Sequence, residues 1–269
     1  EAMVIVVKVG GRVLSNSIDS VVKDLAELSR EKRIVLIHGG GDIVSEVSKR
    51  LGIEPRFVMS PEGIRSRYTD ERELEVYVMV MAGKINKLIV SKFRALGCRA
   101  VGITGADGPT LLAERKKRIV IVDERGRRRV IDGGYTGRVI SVETELINIL
   151  LDRNYIVVVA PIAIDNEGVL LNVDGDQAAY TIASALKAEE LVVLTDVDGV
   201  IIDNNIVKEI RTSEIDKIVE KIGPGMNRKV IMAEKALEEG VGKIIIAQGN
   251  IDAPVTNALK GRGTSIIRG

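Results

Sequence analysis

Residues 33–44 read Arg-Ile-Val-Leu-Ile-His-Gly-Gly-Gly-Asp-Ile-Val, an apolar run closed by three consecutive glycines and then the start of a helical pattern. No other stretch constrains the fold as tightly. An unbroken apolar strand is buried on both faces, which demands a layer of helices on each side of its sheet. One glycine would serve for a tight strand–helix turn. Three in a row cost backbone entropy and leave the main chain open to a ligand. The helix that follows presents unpaired N–H groups and a partial positive charge at its start. The loop at residues 39–41 is therefore either a plain turn or a cradle for a phosphate or carboxylate, with a nucleotide as the first occupant to consider.

The same alternation recurs along the chain. Residues 3–9 form an apolar strand with Lys8 near its end and Gly10-Gly11 after it. Ile18, Val21, Val22, Leu25 and Leu28 recur at helical spacing in residues 17–30, with Ser17 as the expected N-cap. A long helix is expected over 69–96, capped by Thr69. Its segment 74–82 is apolar nearly all round, more than one buried stripe requires, so a homodimer is expected through this helix. Strands follow at 99–104, 118–122 and 127–131, the last two a hairpin around Asp123-Glu124-Arg125-Gly126. A helix at 141–153, a strand at 155–160 and a second hairpin about 165–168 come next. Helices at 176–187, 213–222 and 226–239 then alternate with strands at 191–195, 243–247 and 264–268. This order predicts an α/β fold, a three-layer αβα sandwich on a mostly parallel open sheet, in two lobes spanning 1–172 and 173–269.

Composition narrows the function. Apolar residues make up 45% of the 269 and aromatics only 3%, so Val, Ile, Leu and Ala must fill the core. Lys and Arg number 39 against 38 Asp and Glu, a net charge of +1 that gives no general bias toward nucleic acid. The single cysteine, Cys98, excludes an internal disulfide and fits a reducing cytoplasm. No signal pattern or membrane-spanning apolar run is present, so neither export nor a membrane is expected. Glu1-Ala2, ahead of Met3, read as an expression remnant. The abundance of charge without any Trp leans toward a thermophile. There is no P-loop, since Gly242-Lys243 is followed by Ile244, and no dinucleotide fingerprint, since Val44 stands where its third glycine belongs. With His38 and Cys98 as the only residues of their kinds, no His/Cys metal cluster is expected. A histidine triad would have to use His38, and a histidine ending a strand is more often structural.

Five short elements remain. They are Lys8 with Gly10-Gly11, the triglycine loop, the polar helix opening at Asn172-Val173-Asp174-Gly175-Asp176-Gln177, the acidic turn Thr195-Asp196-Val197-Asp198-Gly199-Val200, and Gly223-Pro224-Gly225-Met226-Asn227-Arg228-Lys229. Helix capping alone would explain Asp174 or Asp176. The acidic turn lacks the remaining ligands of a calcium loop. Lys229 opposes the dipole at the start of its helix and so calls for an anionic partner.

Together with Gly63-Ile64-Arg65, and in this order over essentially the whole chain, these elements resemble the amino acid kinase family, in its acetylglutamate kinase branch. The resemblance implies an N-terminal acceptor lobe and a C-terminal ATP lobe. It implies that Lys8 and Lys229 flank the phosphoryl group in flight, with Asp176 between them orienting both. It assigns Gly10, Gly11, Thr195, Asp196, Val197, Gly199, Val200, Gly225 and Met226 to phosphate or nucleotide, and Gly40, Gly41, Arg65 and Asn172 to the acceptor. The triglycine loop passes from nucleotide to acceptor and transferring phosphoryl. Mg²⁺ is expected with ATP, held by phosphates and water. The chemistry agrees, because phosphoryl transfer needs positioning and positive charge, and a carboxylate acceptor, ionised at pH 7, needs no general base.

Two stretches depart from plain acetylglutamate kinases, Gly133-Gly134-Tyr135-Thr136-Gly137-Arg138 and Gly63-Ile64-Arg65-Ser66-Arg67-Tyr68-Thr69. Both are similar to archaeal and Thermus kinases that act on 2-aminoadipate or glutamate attached to LysW, a small acidic amino-group carrier protein. A third departure is charge. Residues 115–129 hold eight basic and two acidic residues, a local excess of +6. This is a solvated protective edge, a nucleic-acid patch lacking aromatic platforms, or a dock for an acidic protein. On the last reading Arg115, Lys116, Lys117, Arg127, Arg128, Tyr135 and Arg138 would meet the carrier. With no extension before the first strand, the arginine-inhibited hexamers of the family are not expected. Free N-acetylglutamate as acceptor, or a non-catalytic nucleotide- or effector-binding module, are the alternatives.

Overall fold

A computed structural model describes residues 3–269; Glu1 and Ala2 lie outside the described residues, and with them the reading of those two as a remnant. Eight strands form the central sheet in the order Glu209–Arg211, Thr264–Ile267, Lys243–Gln248, Glu190–Thr195, Val4–Val9, Arg33–His38, Ile156–Ala160 and Ala100–Thr104. Every neighbouring pair is parallel except Lys243–Gln248 with Thr264–Ile267. The expected mostly parallel sheet is therefore present. The first strand lies in the middle, and successive crossovers go to opposite sides of it, which opens a crevice at the carboxyl ends of Val4–Val9 and Glu190–Thr195. Ile5, Val7 and Val9 pack into the core on one face and Val6 into the core on the other, which is why these strands read as unbroken apolar runs.

Two smaller four-stranded sheets stand beside the crevice. One joins Leu170–Asn172, Ile162–Ile164, Leu111–Arg115 and Gly137–Val142, and the other Arg65–Tyr68, Arg56–Met59, Arg118–Val122 and Arg128–Asp132. Both expected hairpins form, with Asp123 and Asp165 accepting from backbone N–H groups across their turns. The expected helix at 141–153 is shorter. Gly137–Val142 is a strand laddered to Leu111–Arg115, and the helix is Glu145–Asp152. The expected helix at 213–222 is a 3₁₀ turn, Thr212–Glu214, followed by a short helix, Ile215–Val219.

Helix starts differ from their expected caps. The first helix runs Gly11–Leu28 directly from the strand, and Ser17 (φ −141°, ψ 19°) is a kink inside it. Val13 and Leu14, ahead of the kink, are buried too, so the apolar face begins in the first turn. At residue 70 the cap is Asp70, whose carboxylate accepts from Glu73 N–H at 2.9 Å. The neighbouring Thr69 is buried, and its hydroxyl accepts from Asn172 Nδ2 at 2.9 Å. The long helix is also not uniform, because Met79–Ile85 is π-helical between the α-helices Glu71–Val78 and Asn86–Ala95. Met79 and Leu88 on its outer side are about half exposed (50% and 53%). No helix among the described residues is long and apolar enough to cross a membrane.

Candidate functional site

Three of the expected residues meet at the crevice. Lys8 points to the same face of its strand as Val6, toward the helix Gly175–Ala185, whose N-cap Asp174 accepts from Gln177 N–H at 2.9 Å. Asp176, in the first turn, has one carboxylate oxygen 2.7 Å from Lys8 Nζ and the other 2.7 Å from Lys229 Nζ. Lys229 comes from the second turn of Pro224–Glu238, so its unfavourable place on that dipole is offset by Asp176. All three side chains are less than one-fifth exposed. Burial opposes the charge on Asp176, yet the two ammonium groups outweigh it and hold the carboxyl well below the usual range. Burial likewise opposes the charge on Lys8, and Asp176 more than offsets it, leaving Lys8 above its ordinary value. The cluster carries two positive charges against one negative.

The triglycine loop faces this cluster across one cleft of about 330 Å³, lined by Lys8, Gly11, Gly40, Gly41, Arg65 and Asn172 among others. Gly40 has φ +140°, a conformation that glycine adopts without strain. At the loop's root His38 is fully buried, with Nδ1 2.9 Å from Gly39 O and Nε2 3.4 Å from Asn86 Nδ2. A carbonyl only accepts, so Nδ1 carries the proton and Nε2 accepts. Burial pushes the imidazole down to about 4. The folded state therefore binds fewer protons than the unfolded one between pH 4 and 6.5, and stability falls as pH drops through that window. The loss is expected to approach about 3 kcal/mol at its acid end. Urea titrations of the wild type and His38→Asn between pH 4 and 7 check this, because the variant should lack that part of the slope.

Residues that sequence reasoning left unassigned complete the cleft. Arg67 forms a buried ion pair with Glu73 and donates to Gly41 O at 2.6 Å. Arg228, Tyr77 and Gln177 also line the walls. Arg228 lies 3.3 Å from Asp174, and Tyr77 donates to Pro161 O at 3.0 Å. Lys116, expected on the carrier face, lines the cleft as well. Only spacing could have signalled these residues, and their partners lie in other elements. Among the described residues there is no group of three or more His, Cys, Asp or Glu able to hold a metal ion.

The residues assigned to nucleotide are placed less uniformly. Thr195 ends the strand next to Lys8 and Asp196 and Val197 follow it; the Thr195 hydroxyl accepts from Val197 N–H, and Asp196 pairs with Arg12. Gly199 is needed for packing, because a Cβ there would meet Thr264 Oγ1 at 2.6 Å. The Val200 side chain is fully buried in the core. Gly10 donates to Leu194 O at 3.3 Å, while Gly225 and Met226 lie in the first turn of Pro224–Glu238.

The basic hairpin is partly neutralised from within. Arg127 and Arg129 both reach Asp123, Arg138 pairs with Glu114, and Arg115 stacks on Tyr135 beside Asp132. For Lys116, Lys117 and Arg128 no carboxylate partner occurs among the described residues.

Known proteins share the fold of this chain and much of its sequence. The amino acid kinase family pattern matches residues 3–248. A protein of Saccharolobus islandicus named [LysW]-aminoadipate/[LysW]-glutamate kinase is 54% identical over 266 residues, 98% of this chain and 100% of that one. One of the same name from Metallosphaera sedula is 52% identical over 263 residues, 97% and 99% of the two chains. Among solved structures, N-acetylglutamate synthase of Neisseria gonorrhoeae superposes with a TM-score of 0.83 at 26% identity, and this chain spans 60% of its length. Carbamate kinase of Giardia lamblia, with a TM-score of 0.71 at 18% identity over 100% of this chain and 99% of that one, shares the fold. A lysine–aspartate–lysine bridge set opposite a glycine loop, on a chain matched from residue 3 to 248, makes this protein a member of the amino acid kinase family.

Proposed function

We propose that the protein is a cytoplasmic, ATP-dependent kinase that phosphorylates the side-chain carboxylate of 2-aminoadipate or glutamate carried on the acidic protein LysW, forming an acyl phosphate. The observation that carries this reading is the shared carboxylate of Asp176, 2.7 Å from each of Lys8 and Lys229, facing the triglycine loop. Such a centre places positive charge on both sides of a transferring phosphoryl group, where charge stabilisation does most of the catalytic work. The near-full-length relatives supply the acceptor, and Lys116 at the mouth of the cleft beside the basic hairpin supports an acidic carrier.

In this reading Lys8 and Lys229 are catalytic and Asp176 holds them apart. Gly40, Gly41, Arg65 and Asn172 receive the acceptor, in a lobe of residues 1–172. Gly10, Gly11, the main chain of 195–200, Gly225 and Met226 receive the nucleotide, in a lobe of residues 173–269. Lys117 and Arg128, which form no ion pair among the described residues, meet the carrier. Mg²⁺ accompanies ATP through phosphate oxygens and water and shields their charge. A homodimer through the helix bearing Met79 and Leu88 is part of the proposal, and a monomer by sizing at micromolar concentration would remove it.

Hydroxylamine trapping of the acyl phosphate tests the function. MgATP with LysW carrying aminoadipate or glutamate is expected to give hydroxamate, and free N-acetylglutamate little. Full-rate turnover of N-acetylglutamate would place the protein with acetylglutamate kinases instead.

A further inference from the structure

Each of the three carbonyls of the triglycine loop is taken by a partner within the protein. Gly39 O lies 2.9 Å from His38 Nδ1, Gly40 O accepts from Val44 N–H at 3.0 Å, and Gly41 O accepts from Arg67 Nη2 at 2.6 Å. In a trans peptide the N–H lies opposite the carbonyl. The N–H groups of Gly40, Gly41 and Asp42 are thereby turned the other way, and no protein acceptor takes them among the described residues. The helix itself orients the second and third of these peptides. The Gly39–Gly40 peptide lies outside the helix, and among the described residues its one hydrogen bond is the one to His38.

Both side chains are themselves held. His38 Nε2 faces Asn86 Nδ2 at 3.4 Å, and Lys87 Nζ donates to Asn86 Oδ1 at 3.0 Å, which leaves the amide nitrogen toward the ring. Arg67 pairs with Glu73, donates to Ser45 Oγ at 2.6 Å, and Glu73 in turn accepts from Ser48 Oγ at 3.1 Å. With the Arg67 and Glu73 side chains 8% and 3% exposed, this ion pair belongs to the frame of the cleft.

We propose that His38 and Arg67 are positioning residues for phosphoryl transfer. His38 turns the Gly39–Gly40 peptide so that the Gly40 N–H faces the transferring group. Arg67 fixes where the helix start stands relative to the strand Arg65–Tyr68. Neither touches the reacting atoms. The inference rests on the kinase reading above, and the test separates the two.

His38→Leu removes the donor, and His38→Asn keeps a side-chain N–H near the position of Nδ1. With LysW-bound acceptor and MgATP, His38→Leu is expected to lower kcat by about 10- to 100-fold with KM for MgATP within about threefold, and His38→Asn to recover most of that loss. Arg67→Lys keeps the cation beside Glu73 but loses the second nitrogen for Gly41 O, and about tenfold in kcat is expected. It serves as the test if His38→Leu does not fold. Unchanged kcat, a loss confined to KM for MgATP, or His38→Asn as slow as His38→Leu would overturn the proposal. A second arm omits the acceptor and measures MgADP binding with and without aluminium fluoride, a phosphoryl mimic. The wild type should bind MgADP more tightly with fluoride, and His38→Leu and Arg67→Lys should lose that gain while binding plain MgADP normally. If the wild type forms no acyl phosphate, the acceptor reading fails and this arm decides the positioning role. A wild type without the fluoride gain, or variants that retain it, would overturn it.

Discussion

Lys8→Ala is expected to lower kcat by about 10²- to 10³-fold or more, with little loss of thermal stability. The two halves of that result have one cause. The cluster holds two ammonium groups against one carboxylate, all less than one-fifth exposed. Removing Lys8 leaves Asp176 paired with Lys229, a neutral buried pair, so the fold loses little while the transition state loses a charge. Asp176→Asn does the reverse. It leaves two buried ammonium groups facing each other without a counter-ion, an arrangement expected to cost about 3–5 kcal/mol. Lys8→Ala should therefore melt close to the wild type and Asp176→Asn well below it, although both are slow. Near-normal turnover in Lys8→Ala would remove the catalytic assignment. Equal melting temperatures in the two variants would contradict the charge argument.

Gly40→Ala is the second large effect. An alanine at φ +140° is strained, and its Cβ would lie 2.2 Å from Ile85 Cδ1, with Leu14 Cδ2 and Met81 Sδ each at 3.4 Å. The end of the Ile85 side chain can turn aside, but the backbone strain stays and is relieved by a shift of the loop. A displacement on the order of 1 Å costs about 10²-fold in kcat, and KM for MgATP should stay within a few-fold. Ile85→Val deletes the clashing methyl. The double variant Gly40→Ala/Ile85→Val is expected to recover part of the rate, limited by the backbone strain that remains. A loss seen only as weaker ATP binding would return the loop to the nucleotide.

Much of this was legible in the chain itself. Strands such as Val4–Val9 and Arg33–His38 are buried on both faces, and that condition writes itself as an unbroken apolar run. Gly137–Val142 was misread because one side is partly exposed and it runs into a helix after two residues, so its alternation merges with a helical spacing. The bridge of Lys8, Asp176 and Lys229 was legible only as motifs in order, since no local pattern announces a partner more than 160 residues away. Arg67 stood in a noted motif without a role, because its meaning depends on Gly41 and Glu73 in other elements. Belonging to a turn at the site does not decide which way a side chain points, and that of Val200 is buried in the core.

The π-helical stretch Met79–Ile85 presses Ile85 and Met81 toward Gly40 and delivers Asn86 to His38 in the next residue. That geometry is a matter of counting. A π-helical turn holds about one residue more than an α-helical one, so removing one residue between 79 and 85 would leave a regular α-helix, with Asn86 still in phase with the ring but without the widened turn that sets Ile85 and Met81 against Gly40. Many substitutions along this stretch preserve the wide turn, and a single deletion removes it. What the site inherits from this segment is its length.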